Sequence, residues 1–246
     1  MSDYDRIGGG YAAARRPDPR IAAAIWDALG SATRVLNVGA GSGNYEPGDR
    51  DVVAVEPSRA MIAQRAPDAA PCVRSVVESL PFADATFDVA MGVLTAHHWR
   101  DRHRGAAEMR RVACRQVLFY FEPSFADLAW IMEYWPEIRA LPTEIDPPGE
   151  AFFRGVFDVR EIRPVVVPRD CVDGFGGAFW ARPESYLDPQ VRAAMSCFAQ
   201  LAPDVVGAGH KRLAGDLASG AWDERFGHLR ELDAHDFGYR IVIAGD

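Results

Sequence analysis

Val35-Leu-Asn-Val-Gly-Ala-Gly-Ser-Gly-Asn44, followed by Val53-Ala-Val-Glu56-Pro-Ser58, limits the folds open to this chain more than any other stretch. An apolar run enters a turn with glycine at 39, 41 and 43, and a second apolar run ends on one acid. Glycine tolerates the positive φ of a tight turn and lets a ligand come close to the backbone. A carboxylate at the end of the next strand accepts two hydrogen bonds from a ribose diol. Together these describe a nucleoside site in an α/β sheet.

The details exclude phosphate-bearing ligands. A dinucleotide fingerprint wants glycine or alanine at its sixth position, where this chain has Asn44. No Gly-Lys-Ser/Thr follows, so the turn is no P-loop, and nothing basic stands beside it to meet a pyrophosphate. The G-x-G-x-G form with Glu56 resembles the class I S-adenosylmethionine-dependent methyltransferases, whose ligand carries no phosphate. Ser79-Leu-Pro-Phe-Ala-Asp-Ala-Thr-Phe-Asp-Val-Ala-Met-Gly92 resembles the family's segment leading into its fourth strand. Val93–Trp99 resembles the post-strand segment beside the transferred methyl, and Glu108–Val112 with Gln116–Tyr120 the following helix and strand. The likeness runs in order over about residues 30–122 and is nearest to the small-molecule branch called type 11.

A length of 246 residues suits one α/β domain with an insertion, and the expected organisation is a single domain over 1–246. A formal charge of −8 argues against a nucleic-acid substrate, which needs a basic face. Lys211 is the only lysine among many arginines, a bias read as codon usage. Cys72, Cys114, Cys171 and Cys197 are widely spaced, without metal-ligand spacing, and read as reduced thiols of a cytoplasmic protein with no metal. No signal-peptide pattern begins the sequence and no apolar run is long enough to span a membrane.

Asp18-Pro19 predicts a helix start, with Ile21, Ile25, Ala28 and Leu29 on one face and Gly30 closing it. Strands are expected at Thr33–Val38, Val52–Val55, Cys72–Val76, Phe87–Val93 and Gln116–Phe121, with Ser58 capping a helix after the second. Between Gly39 and Glu56 there is room for only a short turn of helix, interrupted by Pro47 and Gly48, about one turn less than in similar proteins. Leu229–Leu232 and Tyr239–Ile243 resemble the family's closing pair of strands. The implied fold is a doubly wound, Rossmann-like seven-stranded sheet, mostly parallel with one antiparallel strand near the C-terminus. Residues 122–187 break the sheet pattern, are rich in aromatics, and stand where the family inserts its acceptor-pocket lid; residues 1–30 form an N-terminal lid segment and helix. A helical face over Leu128, Ile131, Met132, Trp135 and Ile138 is expected within the insertion.

The resemblance also assigns roles. Gly39, Ala40 and Gly41 would pass beneath the donor's methionine and ribose, Glu56 would hold the ribose hydroxyls, and Pro57, Ser58 and Met61 would cover the adenine. Relatives carry an aspartate where this chain has Val76, so the adenine edge falls to the Val77 backbone and to Glu78, and donor affinity is expected to be lower. Gly92, Leu94 and Thr95 would lie near the sulfonium. His97, and less so His98, is the candidate base for an acceptor that must lose a proton. Trp99 is expected to pack, and Tyr11 and Arg16 to fold over the donor's methionine end. The acceptor is expected to be a small apolar or aromatic molecule. Two rivals stand beside this reading: a repurposed cofactor-binding scaffold or cyclase on the same fold, and a nicotinamide dehydrogenase, which Asn44 opposes.

Overall fold

The computed structural model describes residues 15–246, with the backbone alone for residues 126–128. Helix α1, Pro19–Ala28, begins as expected: the Asp18 carboxylate accepts from the backbone N–H of Arg20, and proline occupies the first turn. Ile21, Ala22 and Ile25 turn inward against the sheet. Strands β1 (Arg34–Val38), β2 (Asp51–Val55), β3 (Cys72–Val73), β4 (Phe87–Val93) and β5 (Ala113–Phe121) follow, with α2 (Arg59–Ile62) and α3 (Arg102–Val112) between them. Ser58 caps α2 through its hydroxyl, as expected.

Alternation along these strands supplies two cores. Val35, Met91 and Phe119 face the layer containing α1, whereas Leu36, Ala90 and Leu118 face the layer containing Met109 of α3. The first five strands are parallel, which requires both faces to be covered.

The remaining strands are β6 (Val159–Pro164), β7 (Val167–Pro168), β8 (Ala234–His235) and β9 (Tyr239–Gly245). Strand order is β3-β2-β1-β4-β5-β9-β6, with β9 antiparallel to both β5 and β6. The seven-stranded sheet with one antiparallel strand near the C-terminus is therefore the fold the sequence implies. Its order reverses between β1 and β4, and ligands of such sheets bind at the carboxyl ends of the strands at that point.

Three expectations are corrected. The strand pairing β9 beside β5 is β6, and Leu229–Leu232 instead falls at a 3-10 turn over Gly227–Glu231. β6 lies inside the range 122–187 that the sequence assigns to an insertion, so the non-sheet chain divides into residues 122–158 and the stretch after β6. The reason is physical: β6 is an edge strand whose Arg160, Glu161 and Arg163 protect an exposed border and hide the apolar alternation. The long helical face is also interrupted, since Ile131–Tyr134 is a short helix and Pro136 starts a separate 3-10 turn.

No helix at all joins β1 to β2; residues 39–50 are turns. Tyr45 replaces it, buried beside Ile21 and Ile25 in a left-handed conformation (φ 65°) that costs a bulky residue on the order of 1–3 kcal/mol. Its carbonyl accepts from the Trp26 indole at 2.9 Å. Glu46 completes the repair: it pairs with Arg65 at 2.9 Å and accepts from the Asn37 amide at 3.1 Å, both inside the fold.

Candidate active site

The glycine turn doubles back on β2, where Gly39 and Ala40 both donate to the Val55 carbonyl, at 2.8 and 3.0 Å. Gly39 and Gly41 have φ of 68° and 54°. A Cβ on Gly39 would overlap the Thr95 hydroxyl, so the close approach admits glycine alone. Glu56 is 5 % exposed, and its two oxygens accept from Gly41 N (2.9 Å) and Ser58 N (2.8 Å). These two donors hold the carboxylate between the glycine turn and the start of α2.

These residues wall a cavity of about 670 Å³ at the carboxyl ends of β1, β2 and β4. Ala40, Pro57, Met61, Val77, Glu78, Leu94 and His98 line it, as do Asn37, Ser42 and Trp99. Asn37 Oδ1, Ser42 Oγ and Trp99 Nε1 are buried without a hydrogen-bond partner among the described residues. Unpaired buried polar atoms are costly unless something occupies the space beside them. Glu78 reaches the cavity wall, but its carboxylate accepts from the backbone N–H groups of Arg100 and Asp101, at 2.8 and 3.1 Å. Val76, 40 % exposed on the same wall, offers no side-chain acceptor.

Two assigned residues stand elsewhere. Gly92 is buried under the floor, between Thr95, Leu118 and Val38, and does not line the cavity. Arg16 is exposed, while Arg15 lines the cavity in its place. The slip of one residue has a cause in a distant partner. Arg15 donates to buried Asp173 through Nε (2.6 Å) and Nη2 (3.1 Å), and Asp173 also accepts from the Tyr45 hydroxyl (2.7 Å) and Gly174 N (2.7 Å). Burial first, and the Asp173 carboxylate second, hold the Tyr45 phenol protonated far above its ordinary range, so it stays a donor. Tyr11 lies outside the described residues.

After β4 the chain turns sharply at Leu94, again left-handed (φ 49°), with Leu94 N donating to the Phe119 carbonyl at 2.8 Å. This turn separates the two histidines: His98 lines the first cavity, and His97 lines a second one of about 150 Å³. Leu94 and Arg15 line both. Burial, then the neighbouring His98 and Arg102 charges, push the His97 imidazole well below its usual range, so the ring is neutral at pH 7.

The second cavity's walls come from Tyr120, Phe121, Ile138, Phe175, Tyr186, Phe198, Phe237 and Tyr239. Of the aromatics expected there, Phe175 and Tyr186 arrive, while Trp130, Trp135, Phe153 and Trp180 pack as core. Glu144, which the sequence does not single out, also lines it, and burial raises its carboxyl above the ordinary value. Among the described residues no cluster of His, Cys, Asp or Glu could hold a metal, and no helix is long and apolar enough to cross a membrane.

A glycine turn and strand-end acid at the switch point of this sheet define a nucleoside-cofactor α/β enzyme. The methyltransferase-domain family model matches residues 36–121. A protein of Anabaena variabilis ATCC 29413, described as a methyltransferase from an antibiotic biosynthesis pathway, has a similar crystal structure (TM-score 0.86), with 30 % identity covering 95 % of this chain and 99 % of that one. Geranyl diphosphate C-methyltransferase of Streptomyces coelicolor A3(2), crystallised with S-adenosyl-L-homocysteine, shares the fold at TM-score 0.51 and 14 % identity, covering 92 % and 76 % of the two chains. So does the [4+2]-cyclase SpnF, at TM-score 0.50 and 17 % identity over 92 % and 80 %. No curated protein matches the sequence. The chain belongs to the small-molecule type of S-adenosylmethionine-dependent methyltransferases, and it is an enzyme of that class.

Proposed function

We propose that the first cavity holds S-adenosylmethionine and that the second holds a small, mainly apolar or aromatic acceptor. The observation that carries this reading is the junction of the two cavities at Leu94 and Arg15. The first cavity falls within the volume of about 300–1,000 Å³ usual for cofactor sites. Glu56 is a carboxylate of the kind that accepts from a ribose diol, and the polar atoms of Asn37, Ser42 and Trp99, without a partner among the described residues, stand in the same wall. Gly39, Ala40 and Gly41 give a floor without side-chain bulk, and Pro57, Met61 and Val77 an apolar slot for a purine. When bound, the donor supplies an electrophilic methyl group on a sulfonium.

The protein's contribution is then alignment and exclusion of water, which alone account for a large part of such a barrier. Leu94 fixes the boundary between donor and acceptor, and the aromatic walls keep the acceptor dry. Among the described residues His97 is the one imidazole lining the acceptor cavity, and its neutral ring can take a proton from an acceptor hydroxyl, amine or acidic carbon. His98 lines the donor cavity instead, which leaves it the weaker candidate.

The decisive measurement is titration with S-adenosylmethionine, followed by detection of S-adenosylhomocysteine formed over a panel of single-ring acceptors. Donor binding with no product on any acceptor would favour the cofactor-binding scaffold or a cyclase. If His97 is the base, His97→Asn lowers kcat about 10²- to 10⁴-fold and leaves donor affinity unchanged. The wild-type rate then falls on the acid side only below the ordinary histidine range, as the ring becomes protonated. Equal kcat in the variant would remove His97 from the chemistry. Val76→Asp restores an acceptor at the adenine edge, and tightening of about tenfold is expected by calorimetry. An unchanged dissociation constant would mean that the wall at residue 76 does not face the purine.

A further inference from the structure

The acceptor cavity is apolar except for a few groups, and their placement is uneven. His97 sits at the donor side, on the same loop as Leu94, which lines both cavities. Glu144 comes from the loop after Ile138 and lies near Cys197, whose thiol burial first and the Glu144 charge second raise to about 12. Glu144 is the single acidic side chain among the described residues that line the cavity. Among the described residues its one side-chain hydrogen-bond donor is the Thr143 hydroxyl, at 3.3 Å. The two basic groups on the wall do not neutralise it: Arg15 is bound to Asp173, and His97 is uncharged. Glu144 is half-buried, and a cation carried by a ligand in the cavity would meet a carboxylate with little side-chain support among the described residues.

We infer that the acceptor carries a protonated amine, held at the Glu144 end by that carboxylate and the surrounding rings, with the methylated atom at the His97 end. This rests on the assignment of the second cavity to the acceptor. Phe175, Phe237, Tyr186 and Tyr239 supply the aromatic faces that attract a desolvated cation. An ammonium group there would hold Glu144 in its ionised form, against the burial that favours the neutral acid in the free enzyme. The volume limits the rest of the molecule. Apolar cavities of about 150 Å³ accommodate one benzene-sized ring, so the expected body is a single ring or an aliphatic chain of similar bulk.

The test compares tyramine with 4-ethylphenol, which keeps the ring and hydroxyl and lacks the amine. Each is titrated calorimetrically into wild type and Glu144→Gln, with and without S-adenosylhomocysteine. Wild type should bind tyramine at least about tenfold more tightly than 4-ethylphenol. Glu144→Gln should erase that preference while keeping its affinity for 4-ethylphenol and for S-adenosylhomocysteine, the latter showing an intact fold. Equal binding of both probes to wild type, binding of neither, or a preference that survives in Glu144→Gln would each overturn the inference. Failure of S-adenosylhomocysteine to bind would instead overturn the donor-site assignment, and the amine preference is read separately from the titrations without it.

Discussion

Asp173→Ala is expected to lower stability by about 3–5 kcal/mol, the usual result of stripping one partner from a buried ion pair. Asp173 is fully buried and accepts four hydrogen bonds, three of them from Arg15 and Tyr45. Alanine takes the Asp173 carboxylate away from the Arg15 guanidinium, only 8 % exposed, and leaves the Tyr45 hydroxyl without that acceptor. Tyr45 holds its left-handed backbone only because burial and these contacts outweigh the strain. For a domain of this size the melting temperature should fall by roughly 6–20 °C. Asp173→Asn keeps one acceptor oxygen and should cost less. Urea denaturation of both variants is the check. A loss below about 1 kcal/mol for Asp173→Ala would mean that Arg15 escapes to solvent and that the network is not what replaces the missing helix.

That network also marks the limit of what the sequence discloses. The glycine turn, Glu56 and the central strands are legible because each is a local signal: apolar runs for strands buried on both faces, and glycines where φ must be positive. Even the absent helix leaves a trace, in Pro47, Gly48 and the short span before Asp51. Its replacement leaves none. Nothing near Tyr45 announces a hydrogen bond to Asp173, far along the chain, and nothing local chooses Arg15 over Arg16. Strand β6 escapes for the opposite reason. Its local pattern is charged because it is an edge, while Leu229–Leu232 offers a misleading apolar pair that packs as a turn. Glu144 is hidden in a proline-broken loop where a lone acid ordinarily reads as solvated surface. The first cavity is thus largely readable from short range, and the second, assembled from distant loops, is not.

Glu56→Ala should raise the dissociation constant for S-adenosylhomocysteine by about 100- to 10,000-fold. Two hydrogen bonds from a ribose diol to an ionised group are worth about 1.5–3 kcal/mol each, and tenfold in affinity corresponds to about 1.4 kcal/mol. The carboxylate has a second duty, since Gly41 N and Ser58 N both donate to it and fix the glycine turn against the start of α2. This makes Glu56→Gln informative. Its amide has one oxygen and one NH₂, so whichever way it faces, an N–H donor meets either Gly41 N–H or Ser58 N–H. Glutamine should therefore bind almost as poorly as alanine, whereas a group that touched only the ligand would keep part of its affinity with an amide. Calorimetry with the product is the direct measurement, accompanied by urea denaturation to separate loss of the turn from loss of the ligand contact. A change in affinity below about threefold in Glu56→Ala would show that the ribose is held elsewhere, and would leave Glu56 as a structural clasp between the turn and α2.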